Sequence, residues 1–364
     1  MLKYFSVSGY KNFDEPIELD FSDVRDYKFS TDCINNDLLG KIVLYGKNAI
    51  GKSNFARALH DIYILCTDLS AKPKDSHYLN IKNAEGCAEF LYVFQFDNDI
   101  VEYRYKKTAP CELVYEKITI NEKLLIEFDR QRPENMIASG LVELAPTLGL
   151  DFMKVKSVLS YIVSNTQLDT THPLSKTISF VSRFLLDASS ENISDYSSVS
   201  LEWIISDTNR LKSFEELLRI AGIPYKLTVI NDPTGKQVLY FDTSPPLPFS
   251  SVASSGTKTL CSLFILYSLV KNSEQSFFYI IDEFDAFYHY ELAEHLIKML
   301  IALPNVQVVF TSHNTSLLTN RFMRPDCCFI MTKDKLTSLP NATAMELREG
   351  HNLQKLFIGG EFDE

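Results

Sequence analysis

The chain has no uninterrupted apolar run near the roughly 18 to 20 residues that a membrane span requires. Its opening, Met1-Leu2-Lys3-Tyr4-Phe5-Ser6, lacks the apolar core and small-residue cleavage site of a secretory signal. A cytoplasmic location without a membrane partner is expected. Cysteine is scattered, at positions 33, 66, 87, 111, 261, 327 and 328, and no C-x-x-C pair occurs. An odd count without paired spacing argues against a disulfide framework and a structural zinc site, and leaves buried free thiols. Basic charge is also short, because 36 Lys and Arg face 47 Asp and Glu for a net charge of -11. No overall electrostatic footprint for nucleic acid results, so DNA contact would need a local patch made by folding or dimerisation. Sustained heptads are missing, which excludes a long coiled-coil arm. Internal repeats and low-complexity segments are missing as well.

What is present is ordinary globular material. Apolar residues make up 45% and charged residues 23%, enough to bury a substantial core and to exclude disorder. The 364 residues suit two to three domains of about 150 residues, or one large nucleotide-enzyme domain with an insertion.

Residues 2–21 alternate apolar and polar around Gly9, Asn12 and Pro16, which predicts two short strands and a turn. The run Lys41-Ile42-Val43-Leu44-Tyr45 predicts a strand that breaks at Gly46, and a helical pattern follows from Lys52 to about Leu65. Alternation on both sides of Asp97-Asn98-Asp99 predicts a hairpin over 90–107, with another strand pair over 113–128. From Pro133 to about Ile223 the spacing is mostly helical, with breaks near 165–175 and 187–200. Residues 131–224 therefore read as a helical lobe inserted into a sheet domain made of 1–130 and 225–364. A hairpin is expected around Asn231-Asp232-Pro233-Thr234-Gly235. Beyond it come a helix from about Thr257, a strand over 277–281, a helix from about Tyr288 and a strand over 307–310. Such alternation is the mark of a parallel sheet covered by helices, and the expected fold class is α/β.

Gly46-Lys47-Asn48-Ala49-Ile50-Gly51-Lys52-Ser53 fits G-x-x-x-x-G-K-[ST] at every specified position. The glycines let backbone N–H groups curl around phosphate oxygens, and the helix N-terminus behind them adds its positive dipole. Lys52 would neutralise the β- and γ-phosphates, and Ser53 would ligate Mg²⁺. Gly46, Asn48, Ala49, Ile50, Gly51, Lys52, Ser53 and Asn54 are the candidate contacts to ATP. By residue usage the pattern arises by chance in roughly one chain in a hundred of this length, and here it also has the required strand before it and helix after it.

Three weaker signals follow. Phe277-Phe278-Tyr279-Ile280-Ile281-Asp282-Glu283 is an apolar strand ending in two carboxylates, delivered to the crevice where open α/β sheets bind ligands. Asp282 would hold Mg²⁺ through water, and Glu283 would polarise the attacking water as general base. Ser254-Ser255-Gly256-Thr257-Lys258 opens the preceding helix and offers a further anion site, although ordinary helix caps look the same. Gln307-Val308-Val309-Phe310-Thr311-Ser312-His313 places a lone histidine after a strand, where a γ-phosphate sensor would lie.

The order phosphate loop, Ser-Gly segment, apolar-Asp-Glu and strand-histidine resembles the ATP-binding-cassette ATPases, and in particular the soluble branch of the SMC, RecF and OLD proteins. Asn48, Asp282-Glu283-Phe284-Asp285-Ala286 and Thr311-Ser312-His313-Asn314 suit that branch. The nearest resemblance is to compact ATPases of phage-defence operons such as the RloA and AbiL types. It covers residues 1–65 and about 250–332 well, and the middle in outline. The resemblance implies a head-to-tail homodimer sandwiching two ATP molecules. Ser255 and Gly256 would act across that dimer, Asp285 would be its D-loop acid, and His313 would join Glu283 and Lys52 in catalysis. It further implies a separate effector partner, a nuclease or toxin, in antiviral defence. A RecF-like ATPase that clamps DNA and a low-turnover nucleotide-gated scaffold are the alternatives. Thr257 and Lys258 depart from the family's usual ending. Gln95 is a weak candidate for the Q-loop residue, and Lys11 and Asn12 resemble polar residues that approach nucleotide. The acidic, glycine-bearing tail from Arg348 suits a solvated end or a docking segment, and the length after His313 is short for a nuclease domain.

Overall fold

The computed structural model describes residues 1–67, 77–188 and 197–362. The chain is a mixed α/β protein whose main chain divides into two compact units. The first comprises 1–186, 276–282 and 305–364, and the second 187–275 and 283–304. Of the stretch 131–224, residues up to Leu186 lie in the first unit and the remainder in the second. The break expected near 187–200 lies largely outside the described residues.

The first unit holds two six-stranded sheets. One is antiparallel, in the order Ile17–Asp20, Leu2–Ser8, Ala88–Phe96, Asp99–Ala109, Glu112–Ile120, Lys123–Asp129. Both expected strand pairs lie here, and Asp97 takes a left-handed φ of 57° at the first hairpin turn. The second sheet runs Phe184–Ala188, Phe277–Asp282, Val306–Ser312, Lys41–Tyr45, Cys328–Met331, Leu336–Ser338. Its four strands from Phe277–Asp282 to Cys328–Met331 are mutually parallel. Lys41–Tyr45 and Val306–Ser312 are buried at every position, as strands covered on both faces must be.

The strand Phe184–Ala188 corrects the expectation of helix through that stretch. Its apolar run is too short for periodicity to separate strand from helix, and pairing decides the matter. The Phe278 amide donates to the Arg183 carbonyl at 3.2 Å, and the rings of Phe184 and Phe278 stack with centroids 4.6 Å apart.

The helix Lys52–Cys66 is the filling of the unit. Phe55, Ala58, Leu59, Ile62 and Leu65 recur at helical spacing and are all buried. It packs on the strand Phe277–Asp282 and also meets the antiparallel sheet, where Tyr92 donates its hydroxyl to Ala58 O at 2.6 Å. Asp61 accepts from Lys107 Nζ at 2.8 Å and from the Tyr105 hydroxyl at 2.7 Å, which offsets the cost of burying both charges. Glu116, fully buried, accepts from Tyr103, Arg130 and the Val158 amide. Burial nevertheless pushes its carboxyl above the usual range.

His60, on the same helix, stacks on Tyr63 with centroids 4.8 Å apart, and burial pushes its imidazole down from 6.5 to about 4. The unfolded chain binds a proton here below pH 6.5, whereas the folded chain does not until about pH 4. This contribution to stability is therefore complete above pH 6.5 and is lost as pH falls through that window. The expected loss is at most about 1.4 kcal/mol per pH unit. His60→Gln should flatten the urea-midpoint profile across the window, and an unchanged slope would remove His60 as its source.

The tail is packed at two points and exposed between them. Leu353 and Phe362 are buried, and Asn320 Nδ2 donates to the carbonyls of Arg348, Glu349 and His351 at 3.0, 3.0 and 3.2 Å. Leu353 and Phe362 flank the run Leu356-Phe357-Ile358, whose Ile358 is exposed, so the apolar run itself does not mark the buried positions.

In the second unit, helices Ser197–Ile205 and Thr208–Ile220 pack on Ser255–Lys271. A three-stranded sheet, Leu227–Asn231, Gln237–Phe241 and Leu247–Pro248, completes it around Phe214, Phe241, Phe249 and Phe264. The helix Tyr290–Ile301 also belongs here.

Candidate functional site

The parallel register aligns three strand ends in the first unit. Tyr45 pairs with Ser312, and Ile281 pairs with Phe310, so the strands before Gly46, His313 and Glu283 all end at one edge of the sheet. Val306–Ser312 lies between the other two. Carboxyl ends of a parallel sheet are where an open α/β fold receives ligands.

The loop between Tyr45 and Lys52 departs from ordinary backbone. Ala49 has φ 62° and Gly51 φ 116°. A Cβ at Gly51 would clash with Asn12 Nδ2 and come within 2.9 Å of Oδ1. At Gly46 it would meet Met331 O at 3.0 Å. Both glycines of the motif therefore answer to close approach of neighbouring chain, at Gly51 compounded by left-handed geometry.

Behind the loop, the helix Lys52–Cys66 has no side-chain cap and no acidic residue in its first turn. The helices beginning after Ser157, Asp207, Ser254 and Asn352 each have a side-chain cap, whereas Tyr290–Ile301 lacks one but carries Glu291 in its first turn. Uncapped first-turn N–H groups with the positive end of the helix dipole suit an anion. Lys52 is 8% exposed and donates to Gly46 O at 2.7 Å and Lys47 O at 3.1 Å. Its ammonium therefore sits within the curl of the loop. Asn48 is exposed, Ile50 and Ser53 are partly so, and Asn54 Nδ2 donates to Asn12 Oδ1 at 2.6 Å.

Asp282 is 3% exposed, and its Oδ1 accepts from Thr311 Oγ1 at 2.6 Å. This bond fixes the carboxylate at the strand end. Thr311 sits in a motif legible in the sequence, but its bond to Asp282 joins residues on separate strands and has no local signal. His313 follows Ser312 directly and is exposed. Asn314 caps the next turn, accepting from the Ser316 amide at 3.0 Å. Gln95 lies in a strand of the antiparallel sheet, paired with Ile100, and not in the parallel one.

The second unit carries Glu283, Asp285 and the Ser-Gly segment. Glu283, next in the chain after Asp282, is exposed and holds φ 52°. Left-handed backbone in a glutamate is a strained state that surrounding structure must enforce. The Ala286 amide donates to Glu283 O at 3.0 Å, closing a turn. Asp285 is 8% exposed, and its Oδ1 is buried without a hydrogen-bond partner among the described residues. Ser254 is the cap of the following helix, accepting from the Thr257 amide at 3.2 Å, while Ser255 begins it and is exposed. Gly256 faces Phe287, whose Cβ and carbonyl oxygen would each stand 3.3 Å from an added Cβ.

Among the described residues, no group of three or more His, Cys, Asp and Glu side chains is arranged to hold a metal ion. No described helix is long and apolar enough to cross a membrane.

Residues 146–319 match the family described as "AAA domain, putative AbiEii toxin, Type IV TA system". The matched segment contains Ser255, Gly256, Asp282, Glu283, Asp285 and His313, whereas the loop 46–53 precedes it. The match makes this segment similar to that family over slightly less than half of the chain. Among solved structures, the chain is similar to an SMC head domain from Thermotoga maritima at 14% identity and a TM-score of 0.42, covering 95% of this chain and 99% of that one. It is also similar to CbiO1 of Clostridium perfringens, part of the ABC transporter complex CbiONQ, at 11% identity and a TM-score of 0.34, covering 92% and 88%. No curated protein matches the chain.

Proposed function

We propose that the chain is an Mg²⁺-dependent ATPase that closes head to tail around two nucleotides and uses that closure to control a separate effector. The observation that carries this reading is the uncapped helix Lys52–Cys66, with Lys52 buried in its loop and Asp282 pinned at the same sheet edge. Bound Mg²⁺ would supply charge neutralisation at the β- and γ-phosphates, with Ser53 and Asp282 as its protein partners. Lys52 would exchange loop carbonyls for phosphate oxygens. Glu283 would take a proton from the attacking water, and His313 would contact the γ-phosphate. Ser255 and Gly256 would complete the site of the partner copy, with Asp285 beside them.

A defence role, with a nuclease or toxin as effector, is supported by the toxin-antitoxin wording of the matched family. Purified protein given MgATP should release inorganic phosphate, and the hydrolysis-blocked Glu283→Gln protein given MgATP should gain mass from monomer to dimer by light scattering. Absence of phosphate release would refute the ATPase reading, and constant mass would refute the sandwich.

Thr311→Val keeps side-chain shape and removes the donor to Asp282. The Mg²⁺ concentration for half-maximal phosphate release should rise about tenfold, the ordinary cost of losing a bond that orients a metal-holding carboxylate. An unchanged Mg²⁺ titration would separate Asp282 from metal binding.

A further inference from the structure

Asn12 lies in the turn between the first two strands and touches the phosphate loop from outside it. Its Nδ2 donates to Ile50 O at 3.1 Å, and its Oδ1 accepts from Asn54 Nδ2 at 2.6 Å. The side chain occupies the space that a Cβ on Gly51 would need. One amide thus grips the loop at Ile50, Gly51 and the start of the helix.

The peptide joining Ile50 to Gly51 is a plane in which carbonyl and N–H point in opposite directions. Holding Ile50 O toward Asn12 therefore turns the Gly51 N–H away from Asn12. The carbonyl bond thereby sets the aim of an amide donor.

The turn that carries Asn12 is itself clamped. Lys11, at φ 49°, donates its N–H to Tyr78 O at 2.9 Å and accepts at its carbonyl from Asn80 Nδ2 at 2.9 Å. Gly9 O accepts from the Asn80 amide at 2.9 Å and from Asn83 Nδ2 at 3.1 Å. Backbone held from both sides in a strained conformation is over-determined, which is what a fixed bracket requires.

We infer that Asn12 is a positioning residue that aims the phosphate-loop amides, held in place by the 78–83 loop, and not a nucleotide ligand. The inference rests on the nucleotide-site reading for its consequence, though its geometry stands within the protein alone.

Two measurements on Asn12→Ala test it. In nucleotide-free protein, amide hydrogens of 47–53 should exchange about tenfold faster, as expected when one loop hydrogen bond is lost. Affinities for MgATP and MgADP should fall by one common factor, about tenfold, because an aimed loop serves the phosphates both share. Unchanged exchange would overturn the proposal. Weakened ATP with unchanged ADP would also overturn it, since that pattern marks direct contact with the γ-phosphate. Should Asn12→Ala fail to fold, Asn54→Ala frees one end of the bracket and should accelerate exchange at the same amides; no acceleration would overturn the proposal. If the wild-type protein bound neither nucleotide, the ATPase reading would fail while the exchange result still judged Asn12.

Discussion

Lys52→Ala is expected to weaken MgATP binding by roughly a hundredfold or more, the scale of removing one partner from a buried charge pair. Lys52 is the charged side chain inside the curl of the 46–53 loop, and its Nζ already lies within hydrogen-bond distance of two loop carbonyls. Alanine leaves the strand, the glycines and the helix dipole in place, so residual binding through backbone amides should persist at high nucleotide concentration. Lys52→Arg should not restore affinity, because a planar guanidinium is wider than an ammonium and cannot occupy the same curl. Titration calorimetry with MgATP checks both variants, with circular dichroism as the control for folding. Undiminished affinity in Lys52→Ala would refute the phosphate-loop assignment, whatever the motif suggests.

The loop was legible because its chemistry is written in contiguous residues. Glycines that permit φ 116° and tight packing, a lysine and a hydroxyl must follow one another at fixed spacing, so the pattern survives translation into text. The parallel strands were legible for a similar reason, since burial on both faces leaves unbroken apolar runs such as Ile42-Val43-Leu44. What stayed hidden depends on partners far away in sequence. Thr311 reaches Asp282 across 29 residues, and Asn12 reaches Ile50 across 38. No local signal distinguishes a threonine that pins a carboxylate from one that merely suits a strand. The strand Phe184–Ala188 and the strand Cys328–Met331 escaped because each is short and takes its identity from a neighbour. Likewise, the sequence does not decide between a solvated and a docked tail, since the carbonyls that Asn320 gathers carry no sequence signature. In each case the missing information is a tertiary contact, not a propensity.

Glu283→Gln should preserve ATP binding while slowing hydrolysis by about a thousandfold, the middle of the range for removing a general base. Glutamine keeps the size of the side chain and its hydrogen-bonding shape but cannot take the proton. The left-handed φ of 52° gives the position a second handle, because the strain belongs to the backbone and not to the carboxylate. Glu283→Gly should therefore raise folding stability by up to about 1 kcal/mol while losing turnover as completely as glutamine does. A glutamate that costs stability and returns rate is the signature of a residue kept for chemistry; if Glu283→Gly lost stability instead, the strain argument would fail. With hydrolysis blocked, MgATP should hold the closed dimer long enough for light scattering to register doubled mass. Mixing Lys52→Ala chains with Ser255→Arg chains then asks who completes each site. If Ser255 acts across the dimer, a mixed pair places both lesions on one site and leaves the other whole, so about half the wild-type turnover per dimer should return. No rescue would mean that each chain builds its site alone, and the nucleotide would then act by switching one subunit rather than by joining two.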